Sequence, residues 1–217
     1  MTDLASPPNH LAETAVPATP AAAPAPPAAV APPANGWGDP FPLGLASFGI
    51  SALVLSSVMS GLIDPLATPA VLSLALALGF TTELVAGIIH FQRGETFPGL
   101  VFTAYSGFWL SYALLVQFYG PMVTADAAAI TGMFLLAWAI FSSYMLLAAI
   151  RTNLTTIVIF TLLNGVFYLA AFGAFLESAG LGHAAGFVLI ADAAVALYAS
   201  AAIIVNTTWE RTVLPVP

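Results

Sequence analysis

Residues 154–176 read LTTIVIFTLLNGVFYLAAFGAFL, twenty-three consecutive positions without a charged side chain. An α-helix rises about 1.5 Å per residue, so about 20 apolar residues cross the hydrocarbon core of a bilayer, which is about 30 Å thick. The segment therefore predicts one transmembrane helix.

Five more apolar segments have similar lengths, and glycine, proline or charged residues separate them. They cover residues 43–63, 70–91, 99–119, 127–150 and 183–205. In the whole chain 60% of residues are hydrophobic, 6% are charged and the mean hydropathy is +0.98, whereas about a quarter of the residues of a soluble domain are charged. The sequence predicts an all-α integral membrane protein with six transmembrane helices in a domain of residues 39–217.

The basic residues indicate how these helices are oriented. The chain has three arginines and no lysine, and Arg93, Arg151 and Arg211 follow the second, fourth and sixth segments. Because positive residues favour the cytoplasmic face of a membrane, we expect both termini to be cytoplasmic and the protein to lie in the cytoplasmic (inner) cell membrane.

Residues 1–38 differ from the rest of the chain, because proline and alanine dominate residues 16–33. This composition favours extended, unpacked conformations, so we expect a disordered cytoplasmic tail. The tail lacks the cationic start and apolar centre of a secretory signal. It is interpreted as a solubilising extension.

Composition excludes several classes of function. The net charge of −7 leaves no basic surface for nucleic acid, and without cysteine there is no thiolate to bind a metal or attack a substrate. The sequence contains no metal-ligand cluster, phosphate-binding loop or nucleophile arrangement that we can identify. We therefore expect neither an enzyme nor a bound cofactor or metal.

Four polar side chains within the predicted spans are candidates for a transport pathway. They are Glu83, His90, Asn164 and Asp192. Glu83 and His90 are seven residues apart, so they share one helix face at a separation of about 10 Å. Polar groups are costly in hydrocarbon, so each either lines an aqueous path or pairs with a neighbouring helix; for Asn164 an interhelical hydrogen bond is the simpler interpretation, and Asp192 is near enough to the outer end to be hydrated.

Three stretches of the sequence resemble a known family. Asp39, Pro40, Pro42, Leu43 and Gly44 belong to the segment Asp-Pro-Phe-Pro-Leu-Gly-Leu, and residues 86–109 and 211–215 continue the likeness in the same order. These segments are similar to the acetate uptake transporter family of the YaaH or SatP type, whose signature reads Asn-Pro-x-Pro-Leu-Gly-Leu. The likeness runs from residue 39 to residue 215.

The resemblance implies a homo-hexamer in which each six-helix protomer encloses a pore with a hydrophobic constriction. Family members build that constriction from a Phe of the first helix, a Tyr of the third and a Leu of the fourth. By motif position these match Phe48, Tyr105 and Ser143. A serine in place of the leucine would widen and wet the constriction, unless the adjacent Tyr144 fills the gap.

The chain departs from the family at other polar positions too. Asp39 replaces an asparagine, Glu83 a common glutamine and His90 a common glutamate. Either Asp or Asn can cap the first helix, but the exchanges at Glu83 and His90 move an acid and a base along one helix face.

Together these observations predict transport of acetate or a related small monocarboxylate, with succinate as a further candidate substrate. The protein is expected to contact the lipid bilayer. A proton is expected to travel with the substrate, with Glu83 or His90 as the titrating group. Two alternatives are a passive acetate-selective channel and a non-transporting membrane sensor or scaffold.

Overall fold

The computed structural model describes residues 36–215, so most of the predicted tail lies outside the described residues. Six helices in this part of the chain are long and apolar enough to cross a membrane. They are α1 (Phe41–Met59), α2 (Pro65–Gln92), α3 (Thr96–Met122), α4 (Ala127–Ala149), α5 (Leu154–Phe175) and α6 (Ala179–Thr208). The predicted number of spans is confirmed.

Several helix ends differ from the predicted ones because polar side chains cap them. The Asp64 carboxylate accepts a hydrogen bond from the backbone N–H of Leu66, and the Ser178 hydroxyl accepts one from Leu181. These caps start α2 and α6 before the most apolar residues. By contrast, α1 ends at Met59, although apolar residues continue to residue 63.

The helices surround a common interior. α1 packs mainly against α6 and also contacts α2, α5 lies between α4 and α6, and the second half of α2 packs against α3. The backbones of α3 and α4 approach each other at few positions, although the two helices are consecutive in the chain. Long side chains make most of the contact between α3 and α4.

Aromatic side chains connect α3 to the helices opposite. The Tyr105 ring stacks on Phe167 at 6.3 Å and lies 5.9 Å from Trp138, and Phe108 meets Phe167 edge to face at 5.2 Å. Such ring pairs stabilise a packed interior through their geometry as well as their area. The centre of the bundle is thus lined by rings from α3, α4 and α5.

The middle of α2 is not a regular α-helix. Residues Ala75–Thr82 form a π-helix, and the hydroxyls of Thr81 and Thr82 donate to the carbonyls of Leu76 and Ala77, five residues back, at 2.9 and 3.0 Å. A π-helical turn rotates the residues after it relative to those before it and often occurs at functional sites. The first residue after this turn is Glu83.

The bundle has two ends of different composition. The arginine end is the end at which α1, α3 and α5 begin, and the acidic end is the opposite one. The arginine end carries Arg93, Arg151 and Arg211, and the acidic end carries Asp64, Asp126 and Glu177. Successive helices run in opposite directions, as predicted from the sequence. The three arginines therefore lie at one end and these three acidic residues at the other.

Candidate transport pathway

Two small apolar cavities lie inside the helix bundle. The arginine-end cavity has a volume of about 40 Å³ and the acidic-end cavity one of about 60 Å³. The first is lined at its outer part by Phe41, Phe97 and Thr156, and the second by Met59, Tyr112 and Ala170. Each cavity therefore extends from the middle of the bundle towards one end.

Three side chains line both cavities and separate them. They are Phe48 of α1, Tyr105 of α3 and Leu163 of α5, and all three are buried. Two aromatic rings and an aliphatic side chain form an apolar narrowing, which favours the exclusion of water. We call these three residues the constriction.

The hydroxyl of Tyr105 is fixed by a residue that sequence reasoning missed. It forms a 2.7 Å hydrogen bond with the hydroxyl of Ser142 on α4, and both residues are buried. Successive helical residues point about 100° apart, so only one of the paired serines 142 and 143 can face the interior. The sequence alone does not show which one.

The structure places Ser143 in the contact between α4 and α5. Its hydroxyl donates to the backbone carbonyl of Ala139 at 2.8 Å and to Oδ1 of Asn164 at 3.1 Å, and it lies 3.2 Å from the hydroxyl of Tyr168. Ser143 lines neither of the two cavities. The third side of the constriction comes from Leu163 on α5, and Tyr144 does not fill it because its side chain is half exposed.

Asn164 makes the interhelical hydrogen bond that was the simpler interpretation of its sequence position. It accepts from Ser143 across the contact of α4 and α5, and it also lies outside the linings of both cavities. This places Asn164 in helix packing.

Glu83 lines the arginine-end cavity next to the constriction. The carboxyl is fully buried, and its Oε1 accepts a 3.2 Å hydrogen bond from the indole N–H of Trp109 on α3. The second oxygen, Oε2, has no hydrogen-bond partner within residues 36–215. Glu83 therefore pairs with a neighbouring helix through Oε1, and the residue also lies in the wall of a cavity.

His90 lies at the arginine end of α2, on the same face as Glu83. Its side chain is buried, and Nδ1 is 2.5 Å from Oε2 of Glu95. The other oxygen of Glu95 accepts a 3.0 Å hydrogen bond from Nε of Arg93. Burial raises the pKa of the Glu95 carboxyl, but hydrogen bonds from His90 and Arg93 and their positive charge outweigh it and hold the pKa below its usual value.

Asp192 on α6 is fully buried, and so it is not hydrated at the end of a span as expected. Both carboxyl oxygens lack a hydrogen-bond partner in the described part of the chain. Leu189, one turn before it, lines the acidic-end cavity, but Asp192 does not. Its carboxyl therefore lies within the helix packing near that cavity.

The motif at the start of α1 fixes the arginine end of the bundle. Oδ1 of Asp39 accepts from the backbone N–H of Phe41 at 2.9 Å, and the carbonyl of Pro42 accepts from the Ser200 hydroxyl on α6 at 2.7 Å. Asp39 is thus a partial cap, because the position preceding the helix is Pro40. These bonds hold Phe41 at the mouth of the arginine-end cavity.

Comparison with known proteins agrees with this architecture. The sequence model described as the GPR1/FUN34/yaaH family matches residues 22–217. The succinate-acetate/proton symporter SatP of Escherichia coli (strain K12) is 28% identical over 181 residues, which are 82% of this chain and 94% of that protein. Ammonia transport outward protein 3 of Saccharomyces cerevisiae is 31% identical over 157 residues, 69% of this chain and 56% of that protein.

A solved structure is also similar. The structure of the bacterial acetate channel SatP matches with a TM-score of 0.77 at 27% sequence identity, covering 83% of this chain and 99% of that chain. The similarity therefore includes the fold as well as the sequence.

Proposed function

The chain belongs to the GPR1/FUN34/yaaH family, and we propose that it moves acetate and succinate across a membrane together with a proton, along the path through its two cavities. It is a multi-pass membrane transporter and not an enzyme. Two relatives differ in the mode of transport that their names give, since one is a proton symporter and the other a channel. The coupling to a proton is the part of the proposal that needs support from the site.

The observation that supports the proposal is the constriction of Phe48, Tyr105 and Leu163 between two apolar cavities. Near neutral pH a small carboxylic acid is mostly an anion, and an anion loses strong hydration when it enters an apolar passage. No arginine or lysine lies within the six helices to offset that loss. Neutralising the substrate with a proton removes most of the cost.

Glu83 is the group that we assign to this proton. Glu83 lines the arginine-end cavity beside the constriction, and its Oε2 is buried without a hydrogen-bond partner in the part of the chain that the structure describes. A buried carboxyl in this position exchanges a proton with the substrate at lower cost than it holds an unpaired charge. We propose that Glu83 gives or accepts the proton as the substrate passes Tyr105.

The first experiment measures uptake of labelled succinate into proteoliposomes with and without an inward proton gradient. Succinate leaks through lipid slowly because it is doubly charged, so flux through the protein dominates. A gradient of one pH unit is worth about 1.4 kcal/mol per proton, so substrate accumulates about tenfold for each proton that travels with it, and neutral entry of doubly charged succinate takes two protons. Glu83→Gln is expected to abolish this accumulation. Uptake that does not depend on the gradient and is the same in Glu83→Gln would reject proton coupling.

A passive channel is the second candidate, because the solved relative is described as an acetate channel. An acetate anion in a channel carries current, whereas acetate moving with one proton carries none. Acetate jumps on a solid-supported membrane measure that current, and leakage of neutral acetic acid does not contribute to it. Leu163→Trp, which plugs the constriction, is the control: current that persists in this variant does not pass between the cavities.

We further propose that the protein is a homo-hexamer in the inner membrane with both termini in the cytoplasm. The family resemblance supports the hexamer, and the arginines at one end of the bundle support the orientation. Light scattering of the detergent-solubilised protein tests the subunit number, with an expected protein mass of six chains of 22.3 kDa.

A further inference from the structure

The arginine-end cavity is lined at its outer end by one residue from each of α1, α3 and α5. They are Phe41, Phe97 and Thr156, which are the first, second and third residues of those helices. Because all three helices begin at the arginine end, these are the lining residues nearest to that end. We call these three residues the mouth ring.

The mouth ring has the same plan as the constriction. The constriction comes from the same three helices, and its members follow those of the mouth ring by seven residues on α1 and α5 and by eight on α3. Residues seven or eight apart lie on one face of a helix, about 10–12 Å apart along its axis. The arginine-end cavity is therefore a chamber between two rings of side chains.

The chamber is small for the larger of the two proposed substrates. Its volume of about 40 Å³ holds about three water molecules, so one of the rings must move to admit succinate. The residues of the constriction are buried, whereas Phe41 and Phe97 are partly exposed. The mouth ring is thus the one with room to move.

Arg93 joins the starts of α1 and α3. From one terminal nitrogen it donates to the carbonyls of Trp37 and Gly38 at 2.7 and 3.1 Å, in the segment before α1. Through Nε it donates to the carboxylate of Glu95 at 3.0 Å, and Glu95 directly precedes α3. The Arg93 side chain therefore ties together the two segments that lead into the phenylalanines of the mouth ring.

The loop that carries Arg93 has a defined turn. The backbone N–H of Glu95 donates to the carbonyl of His90, five residues back, at 2.9 Å, which is a bond of the Schellman motif at a helix C-terminus. Gly94 has a φ of +79°, a conformation that favours glycine. Arg93 and Glu95 are thus held next to the first residues of α3.

The side chains of the mouth ring have no hydrogen bond to give to an anion. Two of them are phenyl rings, and the only proton of the Thr156 hydroxyl is donated to Oδ1 of Asn153 at 3.0 Å, within the cap of α5. An anion that passes this ring loses water without gaining a donor from these side chains. A closed mouth ring is therefore a barrier to anions in solution.

We propose that the mouth ring is a second constriction, which closes the chamber at the arginine end and must open to pass a substrate, and that Arg93 holds it closed. The inference rests on the proposed path through the two cavities, but it does not depend on proton coupling. When the bonds of Arg93 open, the starts of α1 and α3 separate and the mouth ring widens.

Labelling of a cysteine in the chamber measures whether the mouth ring is closed. Leu45 lines the chamber and is buried, and the chain has no cysteine of its own, so Leu45→Cys gives one reactive site there. The reagent is an anionic methanethiosulfonate, applied to the purified protein. Because hydrogen bonds from a charged group hold the mouth ring closed, Arg93→Gln should raise the labelling rate by about tenfold or more. Phe41→Ala, which removes one side of the ring, should raise it similarly.

Matched controls separate an open mouth ring from a loosened bundle. Leu100→Ala removes an exposed side chain three residues from Phe97, and Arg151→Gln removes another exposed arginine at the same end. Both should leave the labelling rate of the chamber within about twofold, as is usual for surface substitutions. Ala170→Cys, in the acidic-end cavity beyond the constriction, should label at the same rate with and without Arg93→Gln.

The outcomes separate this inference from the proposed path. If labelling of Leu45→Cys leaves succinate uptake into proteoliposomes unchanged, the path through the cavities is itself wrong. If labelling blocks uptake but Phe41→Ala labels no faster than Leu100→Ala, the second constriction is wrong. If Arg93→Gln does not accelerate labelling, or accelerates it equally at Ala170→Cys, the role of Arg93 is wrong. Phe97→Ala takes the place of Phe41→Ala if that variant does not fold.

Discussion

The hydrogen bond of the Tyr105 hydroxyl determines which groups of the constriction can contact a passing carboxylate. Because the hydroxyl is bonded to Ser142, the ring and not a hydrogen-bond donor lines the two cavities there. A free phenol would attract and hold a carboxylate at this point. The Ser142 bond thus keeps the narrowest part of the path apolar.

Ser142→Ala is therefore expected to alter selectivity and stability together. Removing the partner leaves the buried Tyr105 hydroxyl unsatisfied, which costs about 1–3 kcal/mol and lowers the thermal unfolding midpoint in detergent. The ring is then free to turn, so uptake of butyrate relative to acetate should rise. Competition of each acid with labelled succinate measures this ratio.

Ser143→Ala is the adjacent control. It removes a hydrogen bond to Asn164 that lies outside both cavities, so the butyrate-to-acetate ratio should stay as in the unmodified protein. Equal changes of the ratio in both variants would contradict the assigned role of Ser142.

For single residues, the sequence predicts those positions that depend only on spacing along one helix. Seven residues separate Glu83 from His90, and that spacing is enough to place both on one buried face of α2. Leu163, Ser142 and Glu95 were not predicted, because each acquires its position from a contact with another helix or from a turn. The direction in which Ser143 points could not be predicted for the same reason, since a motif position does not give the rotation of α4.

At the scale of single helices, α2 is the most unusual. Its π-helical segment Ala75–Thr82 ends where Glu83 begins, and Gly79 within it lies against the indole of Trp109, the partner of Glu83. A Cβ at Gly79 would be 2.6 Å from Cδ2 of that indole, which is closer than packed carbon atoms approach. The absence of a side chain at Gly79 therefore allows the Trp109–Glu83 hydrogen bond.

Gly79→Ala should consequently displace Trp109 and disturb its hydrogen bond to Glu83. Overpacking of this kind costs about 1–3 kcal/mol, and proton-driven accumulation should fall because Glu83 loses its orientation. Thermal unfolding and succinate uptake measure the two effects. Gly107→Ala on α3 is the control, because no atom lies within 4 Å of the added Cβ; a similar loss in that variant would indicate a general helix effect.

Hydropathy was sufficient to predict six helices but not their internal geometry. The residues of the π-helical segment are as apolar as those on either side, so no periodicity distinguishes them. The early start of α6 depends on the hydroxyl of Ser178, and α1 stops while apolar residues continue. Local caps and backbone turns, which hydropathy does not weigh, set these boundaries.

For the whole molecule, the distribution of arginine between the two ends indicates how the protein is oriented in the membrane. The arginine-end cavity extends from the constriction towards the side that the arginine end faces. The positive-inside rule assigns this side to the cytoplasm. Import of substrate with a proton, followed by release of both into the cytoplasm, is consistent with this arrangement.

The orientation is open to a direct test because the chain contains no cysteine. Single cysteines at two exposed loop positions, Ala125→Cys at the acidic end and Thr212→Cys at the arginine end, provide a matched pair. A membrane-impermeant maleimide applied to intact cells should label the cysteine at position 125 and should reach the one at position 212 only after the membrane is opened. Labelling at position 212 in intact cells would contradict the proposed orientation.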